Sequence, residues 1–104
     1  MFDNLFGNLQ EKQAEIQQKL ATMLVEAEAG DGAVTVQAGA DMHIENVKID
    51  PARVDPADRE QLEDLLVVAV NRALDLAKAK AAAETQKLLQ NMLPLGGMDQ
   101  FLKP

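Results

Sequence analysis

The chain has 104 residues, 47% of them hydrophobic, enough for one small domain with its own core. Its aromatic residues are three Phe, so that core must be aliphatic. It holds no Cys, Ser, Tyr or Trp and one His, which excludes disulfides, thiolate metal sites and Ser or Cys nucleophiles, and its net charge of −7 argues against an indiscriminate polyanion binder.

A first helix is expected over residues 3–27. Phe2, Leu9, Ile16 and Met23 recur every seven residues, with Phe6, Leu20 and Ala27 in a second row four positions later that Gln13 breaks. That is a narrow seam of the coiled-coil type, and Asp3 or Asn4 can cap its start. Gly30-Asp31-Gly32 turns the chain out of it.

Residues 33–50 lose the helical period. Val34 and Val36 alternate with Thr35 and Gln37, the pattern of a half-buried strand. Gly39-Ala40-Asp41 makes a turn, and a second strand follows over residues 44–49. There Val47 and Ile49 share a face and Ile44 is out of phase, so a bulge is expected near Glu45-Asn46. Part of residues 25–28 can supply a third strand. Asp50-Pro51 stops the sheet, because Pro has no N–H for the ladder.

Asp55-Pro56-Ala57-Asp58 reads as a helix start, with Asp55 as cap and Pro56 in the first helical position. The long helix runs over residues 59–93 with no Gly or Pro. At 1.5 Å per residue it spans about 50 Å. A compact domain of this length has a diameter of roughly 34 Å, so the helix must overhang it or lie along a second chain. Its near half, residues 62–76, is apolar nearly all round. In its far half, residues 77–83 interleave Ala with Lys78 and Lys80, and Leu88, Leu89, Met92 and Leu93 restore an apolar end. The expected organisation is one domain over residues 1–95 and a flexible tail over 96–104.

No run approaches a membrane span, the longest strongly apolar one being residues 65–70, and Met1-Phe2-Asp3-Asn4 lacks the basic start of a signal peptide. The expectation is a soluble, cytoplasmic protein.

Charge is segregated. Residues 21–74 hold four bases against eleven acids, whereas residues 75–95 hold Lys78, Lys80 and Lys87 against Asp75 and Glu84. Residues 1–20 carry Lys12 and Lys19 against three acids. These lysines are candidates for phosphate contact, although charge on a helix is more often only its solvated face. Asp41, His43 and Glu45 alternate and would share a face on a regular strand, a pattern open to a divalent metal. A solvated strand end is the stronger reading, because the expected bulge would break the shared face. No catalytic residue, metal site or cofactor is assigned, and the chain is not read as an enzyme.

Several segments together resemble a known family: Gly32-Ala33-Val34-Thr35-Val36, Gly39, Ile44-Glu45-Asn46-Val47-Lys48-Ile49-Asp50-Pro51, Leu62-Glu63-Asp64-Leu65, Ala69-Val70-Asn71-Arg72-Ala73 and Leu93-Pro94-Leu95-Gly96-Gly97-Met98. They are similar to the YbaB/EbfC family of bacterial nucleoid-associated proteins, over nearly the whole chain. The resemblance implies an α+β fold of order α-β-β-β-α with a long C-terminal helix, in an intertwined, tweezer-like homodimer. It implies a nucleoid-associated protein that contacts duplex DNA with weak sequence preference, with roles in nucleoid organisation and gene regulation. Carried onto this chain, the projecting arms bear Lys12, Lys19, Lys78, Lys80 and Lys87, and the dimer interface is placed on Leu62, Leu66, Val70 and Leu74. A dimer would carry twice −7, so binding should be weak and salt-dependent. The alternative is a protein-interaction module whose arms clamp another protein, favoured by the acidic body and the apolar residues 88–93.

Overall fold

The computed structural model describes residues 2–92, with side chains described for residues 7–91. In chain order it consists of α1 (Phe2–Ala21), β1 (Leu24–Ala29), β2 (Val34–Gly39), β3 (Ile44–Ile49) and α2 (Arg59–Met92). The expected α+β order is observed. The tail over 96–104, the end of the long helix at Leu93, and the side chains of Phe2 and Phe6 fall outside the described residues.

α1 stops six residues earlier than the heptad rows predicted. The Thr22 backbone N–H and its Oγ1 both donate to the Lys19 carbonyl, at 3.1 and 2.7 Å, closing the last turn. Beyond it, Leu24-Val25-Glu26-Ala27-Glu28-Ala29 alternates with period two, turning the small apolar residues inward and the two Glu outward. Met23 and Ala27 therefore belong to the connector and to β1. The shorter period wins because it pairs all six residues of β1 with β2, from Leu24 opposite Gly39 to Ala29 opposite Val34.

The sheet is antiparallel in the order β1-β2-β3. The β1–β2 turn takes left-handed backbone at Gly30, Asp31 and Gly32, with φ of 65°, 54° and 90°. At Gly30 the need is twofold, since a Cβ there would also lie 2.9 Å from Leu65 Cδ2. Two arginines hold this corner from outside the strands. Arg72 Nη1 donates to the Glu28 carbonyl and Arg53 Nη1 to the Asp31 carbonyl, both at 2.9 Å.

The bulge is present. Gln37 pairs with Asn46 and Ala38 pairs with Ile44, so Glu45 is the extra residue. Skipping Glu45 brings Ile44 into phase with Val47 and Ile49, opposite Ala38, Val36 and Val34.

The cap of α2 is Asp58 rather than Asp55. Gln61 N–H donates to Asp58 Oδ1 at 3.1 Å, the bond expected of a cap. Asp55 Oδ1 accepts from Ala57 N–H at 2.9 Å and forms a separate turn before the helix. Pro56 sits in that turn, three residues ahead of Arg59.

α2 crosses the sheet over β1 and β2. Its buried stripe is Ala69, Ala73 and Ala77, one residue per turn, and their small side chains let the helix approach Ala29, Val34, Val36 and Ala38 closely. Val25, Ala27, Leu62, Leu65, Leu66 and Val70 close the margins of this core. The near half of α2 is buried along this one stripe and not on several sides: Val67, Val68 and Leu76 are exposed. The molecule is elongated, with a radius of gyration of 19.8 Å against about 13 Å for a compact chain of this size.

Candidate nucleic-acid interface

Two segments stand clear of the core. In α1 every described residue from Asn8 to Lys19 except Ile16 is exposed. Its anchor is its C-terminal end, where Leu20 is buried and its carbonyl accepts the Ala40 N–H at 3.1 Å. In α2 the last core residue is Ala77, and the helix continues to Met92. Between Lys78 and Asn91 the described residues include three lysines and one acid, Glu84.

The five candidate lysines are exposed and divide into unequal groups. Lys12 and Lys19 are seven residues apart, two helical turns, so they lie in one row of α1. Lys80 and Lys87 have the same separation and share a row of α2. Lys78 lies roughly 160° around the helix from Lys80 and faces elsewhere. The two rows meet at Glu84, whose Oε2 lies 3.9 Å from Lys19 Nζ and whose Oε1 lies 3.6 Å from Lys87 Nζ. Four of the five lysines thus fall into two rows joined at one carboxylate, and Lys78 stands apart.

Glu84, where Lys19 and Lys87 meet, was not singled out by the sequence. It counted only as an acid diluting the positive end. It is buried, with 8% of its surface exposed, and its approach to Lys19 at the end of α1 is long-range, so no local pattern reports it. The signal available was Lys87 three residues on, a spacing that brings side chains together on a helix.

Two arginines serve the body. Arg53 pairs with Asp50 at 3.1 Å while holding the Asp31 carbonyl, and Arg72 holds β1. Lys48 sits opposite Thr35 on the outer face of the sheet. That face also carries Glu26 and Glu28, so acidic charge is concentrated on the body.

The Asp41-His43-Glu45 set does not assemble. Asp41 Oδ2 and His43 Nδ1 lie 3.1 Å apart, in a turn that places Met42 at a φ of 71°. Glu45 is taken out of the alternation by the bulge. Among the described residues no three His, Cys, Asp or Glu are grouped to hold a metal ion.

The positions chosen for a dimer interface are partly used within the chain. Leu62, Leu66 and Val70 pack against the core, and Leu74 is half-buried. The more open apolar surface lies beside them, on Val67, Val68 and Leu76 of α2 and on Ile44, Val47 and Ile49 of β3.

Comparisons with known proteins agree with this geometry. The model of the YbaB/EbfC DNA-binding family matches residues 2–92. A nucleoid-associated protein of Moorella thermoacetica is 43% identical over 79 residues, 76% of each chain. One from Myxococcus xanthus is 45% identical over 82 residues, 79% of this chain and 78% of the relative. One from Acetivibrio thermocellus is 39% identical over 99 residues, 92% of this chain and 88% of the relative. Among solved structures, an uncharacterized protein from Helicobacter pylori superposes with a TM-score of 0.68 at 16% identity, covering 85% of this chain and 92% of that one, a likeness of fold. With a family model spanning α1 through α2, and relatives matched over most of their length, the chain belongs to the YbaB/EbfC DNA-binding family.

Proposed function

We propose that this protein is a nucleoid-associated, cytoplasmic homodimer that grips duplex DNA between projecting helical arms. The arms are α1, with Lys12 and Lys19, and α2 beyond Ala77, with Lys78, Lys80 and Lys87. They touch the phosphate backbone, which carries no sequence information of its own, so sequence preference is weak. The observation that carries this reading is the placement of charge. Five exposed lysines lie on the segments that leave the core, whereas Arg53 and Arg72 are bonded within the body and most of the described acids gather there. An acidic body repels DNA and leaves the arms as the favourable route of approach.

A second copy is the occupant that best fits the uncovered apolar face. Ile44, Val47 and Ile49 lie on the side of the sheet that α2 covers over β1 and β2, yet each is at least 40% exposed. Val67, Val68 and Leu76 extend the same apolar character along α2. The chain's own core has two large, fully buried side chains among the described residues, Val34 and Val36. At about 1.5–3 kcal/mol each they supply little support for an α2 of 34 residues. Pairing two chains across this face would bury the exposed row.

Gel shifts with a few hundred base pairs of duplex DNA, at low and at physiological salt, test the DNA reading. A shift at low salt that fades as salt rises is expected. Absence of any shift at low salt refutes it. Light scattering tests the dimer independently, and a monomer mass at micromolar concentration refutes that part.

A further inference from the structure

We propose that Glu84 limits the affinity of the arms, because DNA must take Lys19 and Lys87 away from it; this rests on the DNA-binding reading above. Glu84 continues the row of Ala77, two turns further along α2, and lies within 3.9 Å of the Lys19 ammonium at the anchored end of α1. Its side chain is 10% exposed, while those of Lys19 and Lys87 are 53% and 69% exposed. The carboxylate is thus withdrawn from water while both ammonium groups remain in reach of a ligand.

Its two contacts, at 3.9 and 3.6 Å, are longer than hydrogen bonds. A DNA phosphate meeting the same ammonium groups can form charge-assisted bonds of about 2.7–2.9 Å, so it competes well for them. Each lysine that turns to phosphate leaves a buried carboxylate less well paired, and a poorly paired buried charge is costly. That cost is subtracted from every phosphate contact made by Lys19 or Lys87. Lys12, Lys78 and Lys80 carry no such cost, since none of them is paired with Glu84. Glu84 is therefore a positioning residue. It pairs Lys19 of α1 and Lys87 of α2 in the free protein and weakens the grip in the complex.

The test is the affinity of the full chain for a labelled duplex, followed by fluorescence anisotropy between about 50 and 200 mM salt. Wild type is compared with Glu84→Gln, which keeps the shape and removes the charge, and with Glu26→Gln, which removes an exposed acid from the body. Glu84→Gln is expected to bind about tenfold tighter at the lowest salt, with a steeper salt dependence, while Glu26→Gln stays within about twofold of wild type. Lys19→Gln should weaken binding more in the Glu84→Gln background than alone, a coupling that a purely structural role for Glu84 would not produce. Glu84→Asp, which keeps the charge but retracts it from both lysines, should fall between wild type and Glu84→Gln and serves if Glu84→Gln fails to fold. Wild-type binding with unchanged affinity and slope in the folded variants overturns this inference alone. Absence of binding by every protein at the lowest salt overturns both it and the DNA reading.

Discussion

Val47 stands directly opposite Val36 in the β2–β3 ladder, on the same face of the sheet, yet Val36 is fully buried and Val47 is 41% exposed. The difference is the reach of α2, which covers β1 and β2 and leaves β3 bare. Val36→Ala should cost the fold about 2 kcal/mol through the cavity it leaves, read by urea denaturation. Val47→Asp should leave the helix content of the folded chain intact and shift light scattering toward the monomer. A Val47→Asp variant that remains dimeric would place the second chain elsewhere.

Removal of the α2 cap gives a second expectation. Asp58→Ala should lower stability by about 1 kcal/mol, because the first turn loses an acceptor for the Gln61 N–H. Asp55→Ala removes only the acceptor of a turn outside the helix and should cost less. Urea midpoints for the two variants compare them directly, and a larger loss for Asp55→Ala would contradict the assignment.

Two glycines should respond in opposite directions. Gly30→Ala forces a side chain onto left-handed backbone and against Leu65, so a loss of about 1–2 kcal/mol or more is expected. Gly7 lies within α1 with nothing within 4 Å of an added Cβ. Gly7→Ala should raise helix content in circular dichroism and stabilise α1 by up to about 1 kcal/mol.

Replacement of a lysine should be read in the salt slope. Lys80→Gln and Lys12→Gln should each reduce the slope of log affinity against log salt by about 1 for every phosphate left without its ammonium partner. Lys48→Gln, on the outer face of the sheet, should leave the slope unchanged. Equal effects at Lys48 and Lys80 would mean that net charge, rather than the arms, governs binding.

Elements whose signal is local were legible in the sequence. The alternation from Val34 to Gln37, the absence of Gly and Pro from α2, and the phase slip between Ile44 and Val47 each report on their own backbone. The end of α1 was not legible, because Leu24–Ala29 is compatible with a heptad row and with a strand, and pairing with β2 decides between them. The cap was misplaced for a similar reason: Asp55 and Asp58 are both good caps, and only the chain's path after Asp50 chooses. For the site, the segregation of lysines onto the helices was visible in the charge count. The meeting of Lys19 and Lys87 at Glu84 was not, because Lys19 and Glu84 are far apart in the chain and come together only in the folded molecule.

Everything proposed for binding depends on DNA being held by the arms and not by the body. Backbone amide spectra of isotope-labelled protein, recorded with and without a duplex of about 30 base pairs at about 50 mM salt, probe both surfaces at once. Shifts concentrated around Lys12, Lys19 and residues 78–91 are expected, with the sheet's outer face at Glu26, Glu28 and Lys48 unmoved. Shifts centred on that face, with the arms unchanged, would refute binding by the arms.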